Sequence, residues 1–163
     1  MNRSPSRRRF FFLSLAAIPL GLAMAGVAIG LLHLIDGITN LAFYGTLSFA
    51  STTPEANRLG LGVVAVPVIG GLIVGVMARF GSKAIRGHGI PEAMEQILEN
   101  GSRIPPRLTW LKPLSSAISI GTGGPFGAEG PIIATGGAGG SLLGQLFSTT
   151  AAERKTLLAA GAA

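Results

Sequence analysis

The chain has 163 residues, of which 48% are hydrophobic and only 12% charged, with a mean hydropathy of +0.54 and a net charge of +6. Soluble domains carry roughly 25% charged residues, so the composition excludes an ordinary soluble domain and points to a membrane protein. There is no cysteine, which excludes disulfides, thiolate metal sites and cysteine nucleophiles.

Residues 1–9 are polar and basic, with Arg3, Arg7, Arg8 and Arg9, and read as a cytoplasmic lead-in. Phe10 to Ile35 carries no charge. At roughly 1.5 Å per residue it is long enough to cross a hydrocarbon core of about 30 Å. The run Ser6-Arg7-Arg8-Arg9-Phe10-Phe11 resembles a twin-arginine export signal, and Ala23-Met24-Ala25 has the form of a cleavage site. The apolar run continues well past Ala25, however, which favours a retained helix. His33 and Asp36 share a helix face near its end, as a polar interface or a proton-relay pair. Gly37 to Asn57 reads as a mixed, loop-bearing segment. Leu59 to Ala78 is a second uncharged span of helix length. The pairs Gly26/Gly30 and Gly71/Gly75 have the spacing that lets membrane helices approach closely.

Arg79, Lys83 and Arg86 return the chain to the positive side. Gly87-His88-Gly89-Ile90-Pro91-Glu92 follows, a glycine-rich loop with proline at a helix start. Glu92, Glu95 and Glu99 make the next residues too polar to face lipid, so a short half-helix is expected. Arg103, Pro105, Pro106, Arg107 and Lys112 read as a basic connector. Pro113 to Gly121 is expected to enter, and Pro131 to Phe147 to leave, the loop Gly121-Thr122-Gly123-Gly124-Pro125-Phe126-Gly127-Ala128-Glu129-Gly130-Pro131. Gly136, Gly140 and Gly144 recur every fourth residue, a groove for another helix. Ala151 to Lys155 reads as a charged break before an apolar helix from Thr156 to Ala163.

The central loop carries the chemistry. Between Lys112 and Glu153 the one formally charged side chain is Glu129. An acid inside an apolar span normally faces water or a partner and marks a functional site. Helix N-termini expose unpaired N–H groups and attract anions. Two loops with glycines before a proline, at 87–91 and 121–131, would make a broken-helix anion pocket without needing a lysine if both point at the bilayer midplane. A carboxylate can occupy that cradle and yield it to a permeant anion when protonated or displaced. The simpler alternative is that Glu129 only caps the helix that follows.

Other functions find less support. The 121–126 run lacks the third glycine of a dinucleotide site, and no Lys-Ser/Thr pair completes a P-loop. One Tyr and one Trp offer little surface for stacking bases, so nucleic acid is not an expected partner. No catalytic or metal-ligand constellation is found, so neither an enzyme nor a resident cofactor or metal is expected.

Gly87-x-Gly89-Ile90-Pro91-Glu92 resembles the first signature of the chloride channel (CLC) family, and Gly127-Ala128-Glu129-Gly130-Pro131 its second. Order, spacing and flanking helices agree from about Phe10 to the C-terminus. The resemblance implies an all-α integral membrane fold of tilted and broken helices, the first half of an inverted repeat, in a multi-pass inner-membrane protein. It divides the chain into residues 1–9, a cytoplasmic N-terminus, and 10–163, a partial transmembrane domain. It implies a chloride channel or chloride/proton antiporter that forms a homodimer in lipid. It also makes Glu129 the gate, with His88, Gly89, Ile90, Pro91, Gly127, Ala128 and Gly130 around the anion.

Three departures bear on that reading. His88 stands where the family has a serine ligand, and Ala128 replaces the basic residue usual before the gating glutamate. The chain also stops near the family's halfway point, where half a repeat is not expected to conduct alone. A different broken-helix transporter, or a non-conducting remnant, remains the alternative.

Overall fold

The structure, a computed structural model, describes residues 7–82, 85, 101–147 and 149–163. Among these residues every regular element is helical. Helix α1 runs from Arg7 to Thr39 and continues through a π-helical turn, Asn40–Tyr44. Two 3₁₀ turns, Pro54–Ala56 and Gly60–Val64, lead into α2, Ala65–Phe80. Helices α3 (Leu108–Gly121), α4 (Glu129–Leu146) and α5 (Ala151–Ala162) follow.

Both expected spans are present, with shifted ends. Stretches long and apolar enough to cross a bilayer cover Ala17–Tyr44 and Gly60–Phe80. The first outruns Ile35 because Asn40 takes over the polar bonding at its end. Asn40 Nδ2 lies 2.9 Å from Asp36 O, 3.0 Å from Ser48 O and 2.8 Å from Ala50 O, while its Oδ1 accepts from Thr52 Oγ1 at 2.8 Å. One buried amide thus ties the helix end to the loop that leaves it. Asn40→Ala is expected to lower stability by about 2 kcal/mol, since several buried polar groups lose their partner. Thermal unfolding in detergent, with faster proteolysis of the 45–53 loop, reads the loss. His33 is exposed and Asp36 half-buried, both inside the longer helix.

The centre of the bundle is α4, which is buried without a break from Thr135 to Ser141. Its glycine groove is filled by α5. A Cβ on Gly136 would stand 2.9 Å from the carbonyl carbon of Gly161, and one on Gly140 2.7 Å from that of Leu157. The third glycine, Gly144, takes the Arg154 side chain at 2.8 Å. Helix α1 lies across the same bundle, with Leu20 packed on Leu157 and Met24 beside Gly139. By contrast, a Cβ on Gly26, Gly30, Gly71 or Gly75 would meet nothing within 4 Å among the described residues. Those pairs therefore make no helix contact here; Gly70, one residue from the expected position, does so instead.

Two further boundaries differ from expectation. Lys112 and Pro113 lie inside α3, which begins at Leu108, so the basic connector ends earlier. Lys112 is buried, and its Nζ donates to Ile85 O at 3.2 Å. The charged segment at Ala151 is not a break but the start of α5. Thr150 caps it, with Glu153 N donating to Thr150 Oγ1 at 3.3 Å and Thr150 N to Glu153 Oε2 at 2.9 Å.

The connector before α3 is tied to the bundle by side chains. Ser141 Oγ donates to Ser102 O at 2.6 Å and accepts from Ile104 N at 3.0 Å. Arg154 Nη1 donates to Gly101 O at 3.0 Å.

Candidate functional site

The site begins where α3 stops. Gly123 takes φ +91, a conformation that favours glycine. It allows Gly124 N to reach Ser119 O at 2.8 Å and Gly123 N to reach Ile120 O at 2.9 Å, closing the helix with the paired bonds of a Schellman turn. The turn is pinned from two sides. Thr122 presses on Gly70 of α2, and Gly121 lies against Ile38 of α1, where a Cβ would stand 2.7 Å from Ile38 Cβ. Small residues at these two points let α1 and α2 meet the end of α3.

After Pro125 the chain turns into α4, whose first residue is Glu129. Ile132 N already bonds Ala128 O at 3.0 Å. The amides of Glu129 and Gly130 are first-turn donors without an intrahelical acceptor, and Pro131 has no N–H to orphan. Gly127 and Ala128 donate no hydrogen bond among the described residues either. The Glu129 carboxylate makes no side-chain cap, and no hydrogen bond to it is found among the described residues. The simple capping role considered above thus has no hydrogen bond behind it, although charge near the helix dipole remains favourable.

A cavity of about 390 Å³ opens at this helix start. Gly127, Glu129, Gly130 and Pro131 line one side. Opposite them α3 contributes Ser115, Ser116, Ser119 and Ile120. Val74 of α2, together with Ile85 and Phe126, supplies apolar wall. Ala128 is adjacent in sequence but does not line the space. His88, Gly89, Ile90 and Pro91 lie outside the described residues.

The serines are residues that the motif reading passed over. Lys112, Ser115, Ser116 and Ser119 follow the i, i+3, i+4, i+7 pattern of one helix face. That pattern was available in the sequence and marks a polar stripe on an otherwise apolar helix. Buried Lys112 holds the carbonyl of Ile85, a lining residue, but does not itself line the cavity.

An apolar bundle with two bilayer-length spans, interrupted by a glycine-proline loop that sets a carboxylate and free amides on a cavity, is the construction of an integral membrane protein with a broken-helix site. Residues 70–163 match the family model described as voltage gated chloride channel. The chain belongs to that family.

Two relatives agree with the match. A putative chloride channel protein ClcB-like from Ralstonia nicotianae is 31% identical over 102 residues, covering 60% of this chain and 24% of the relative. Chloride channel protein CLC-f from Arabidopsis thaliana is 31% identical over 108 residues, 62% of this chain and 12% of that protein. The chain thus spans less than a quarter of the length of either relative. No solved structure matches it.

Proposed function

We propose that the chain forms part of an anion pathway, in a chloride channel or chloride/proton antiporter, with Glu129 as its gate. The observation that carries this reading is the unbonded Glu129 carboxylate beside free helix N-terminal amides on one cavity. Those amides attract an anion without a full positive charge, so binding stays weak enough for release. The ionised carboxylate competes for the same cradle. Protonation removes that competition and gives the site a route for coupling protons to anions. His88, Gly89, Ile90 and Pro91 are the expected second wall of the same pathway, by their motif.

The whole protein is expected to be a multi-pass inner-membrane homodimer with a cytoplasmic N-terminus, in keeping with Arg7, Arg8 and Arg9 ahead of the first span. Residues 1–9 form the lead-in and 10–163 a first-half transmembrane domain. An apolar groove of about 590 Å³ between α1 and α4, lined by Leu20, Met24 and Leu143, suits lipid chains.

The test is efflux from vesicles holding the native-length protein. Chloride leaves without any cation gradient if the reading is right. Proton counterflow then marks an antiporter and its absence a channel. Chloride retention in active-orientation vesicles refutes the anion pathway.

A further inference from the structure

A serine within a helix normally uses its hydroxyl on a carbonyl about one turn back. Ser115 does so, donating to Lys112 O at 2.9 Å. Thr39 and Thr122 do the same toward Ile35 O at 2.9 Å and Ile118 O at 2.7 Å. Ser116 and Ser119 do not: neither hydroxyl makes a hydrogen bond among the described residues. Both line the cavity that Glu129 faces. Both serines are half-buried, so their hydroxyls are open to whatever occupies the cavity, whether water or an anion. The remaining side chains from α2 and α3 at this wall, Val74 and Ile120, offer no donor.

We propose that Ser116 and Ser119 form a selectivity wall whose two O–H groups donate to a partly dehydrated anion in the cavity. The inference rests on the anion-pathway reading and adds which anions the pathway prefers. Small anions lose more hydration on entry than large ones and gain more from close donors. A wall with two free hydroxyls therefore favours chloride over weakly hydrated iodide or thiocyanate. An apolar wall of the same shape reverses that preference. Neutral donors also select without adding a fixed positive charge that would hold the ion too long.

The experiment compares chloride and iodide efflux from vesicles carrying the native-length protein and its Ser116→Ala/Ser119→Ala variant. The chloride-to-iodide ratio is expected to fall about tenfold, the order of effect of losing hydrogen bonds to a charged group. Alanine removes no protein hydrogen bond and favours the helix, so the melting temperature and the pH dependence of flux are retained. An unchanged ratio in a normally folded variant overturns the wall while leaving the anion pathway standing. A variant that fails to fold also overturns it, because the hydroxyls then serve the fold. If the parent protein moves no anion, the pathway itself fails and the wall with it.

Discussion

Glu129→Gln is expected to remove the pH dependence of chloride flux while leaving the protein folded. Glutamine has the shape of the protonated acid but cannot ionise. The carboxylate is exposed at the first position of α4 and accepts no hydrogen bond among the described residues, so its replacement breaks no bonded network. The stability cost is correspondingly small, limited to the dipole contribution of about 0.3–1 kcal/mol for a charge near a helix N-terminus. The functional change is expected to be large. If Glu129 is the gate, flux in the parent protein is expected to rise as pH falls, because the neutral acid no longer competes with the anion for the amide cradle. In the variant the cradle is clear at every pH, and flux stays at the acid-side value of the parent. Vesicle efflux across a pH series provides the measurement. A variant that retains the parent's pH profile sinks the gate assignment and moves the pH sensor elsewhere.

Glu129 stood out in the sequence because charge is so scarce between Lys112 and Glu153. An acid standing alone in an apolar stretch, between two prolines and among glycines, has few explanations. The two long spans were legible for a similar reason: nothing in them interrupts the apolar run. Their ends were less so. The Asn40 tie depends on carbonyls at Ser48 and Ala50, which meet it only once the chain has turned back.

Glycine spacing gave mixed guidance for the same physical cause. Gly26/Gly30 and Gly136/Gly140 look alike in sequence, but only the second pair meets a neighbouring backbone here. Whether a small residue is a contact depends on what the fold brings opposite it. Lys112 shows the converse error. A lysine beside a proline reads as connector, yet the carbonyl of Ile85 gives it a buried partner within α3. The start of α5 was a missed local signal rather than a tertiary effect, since Thr150 and Glu153 have capping-box spacing in the sequence itself.

The contact between α4 and α5 yields the sharpest structural test, because nearby glycines make opposite demands. Gly140→Ala places a methyl group 2.7 Å from the backbone carbonyl carbon of Leu157 and 2.9 Å from Leu158 Cα. Neither is the free end of a side chain, so the two helices must separate to admit it. Overpacking of this kind costs about 1–3 kcal/mol. Exchanging glycine for alanine in a helix returns about 1 kcal/mol, which leaves a net loss of up to about 2 kcal/mol. Gly137→Ala sits three positions earlier on the same helix and is also buried, but its new methyl meets Leu158 Cδ2 at 3.4 Å, an ordinary contact with a side chain that can adjust. There the helix gain is unopposed, and the variant is expected to match or exceed the parent's stability by up to about 1 kcal/mol. Thermal unfolding in detergent ranks the three proteins Gly137→Ala, parent, Gly140→Ala. Equal melting temperatures for the two variants mean that α5 does not lie in the α4 groove as closely as backbone contact requires. The reversed order means that another face of α4 carries the packing.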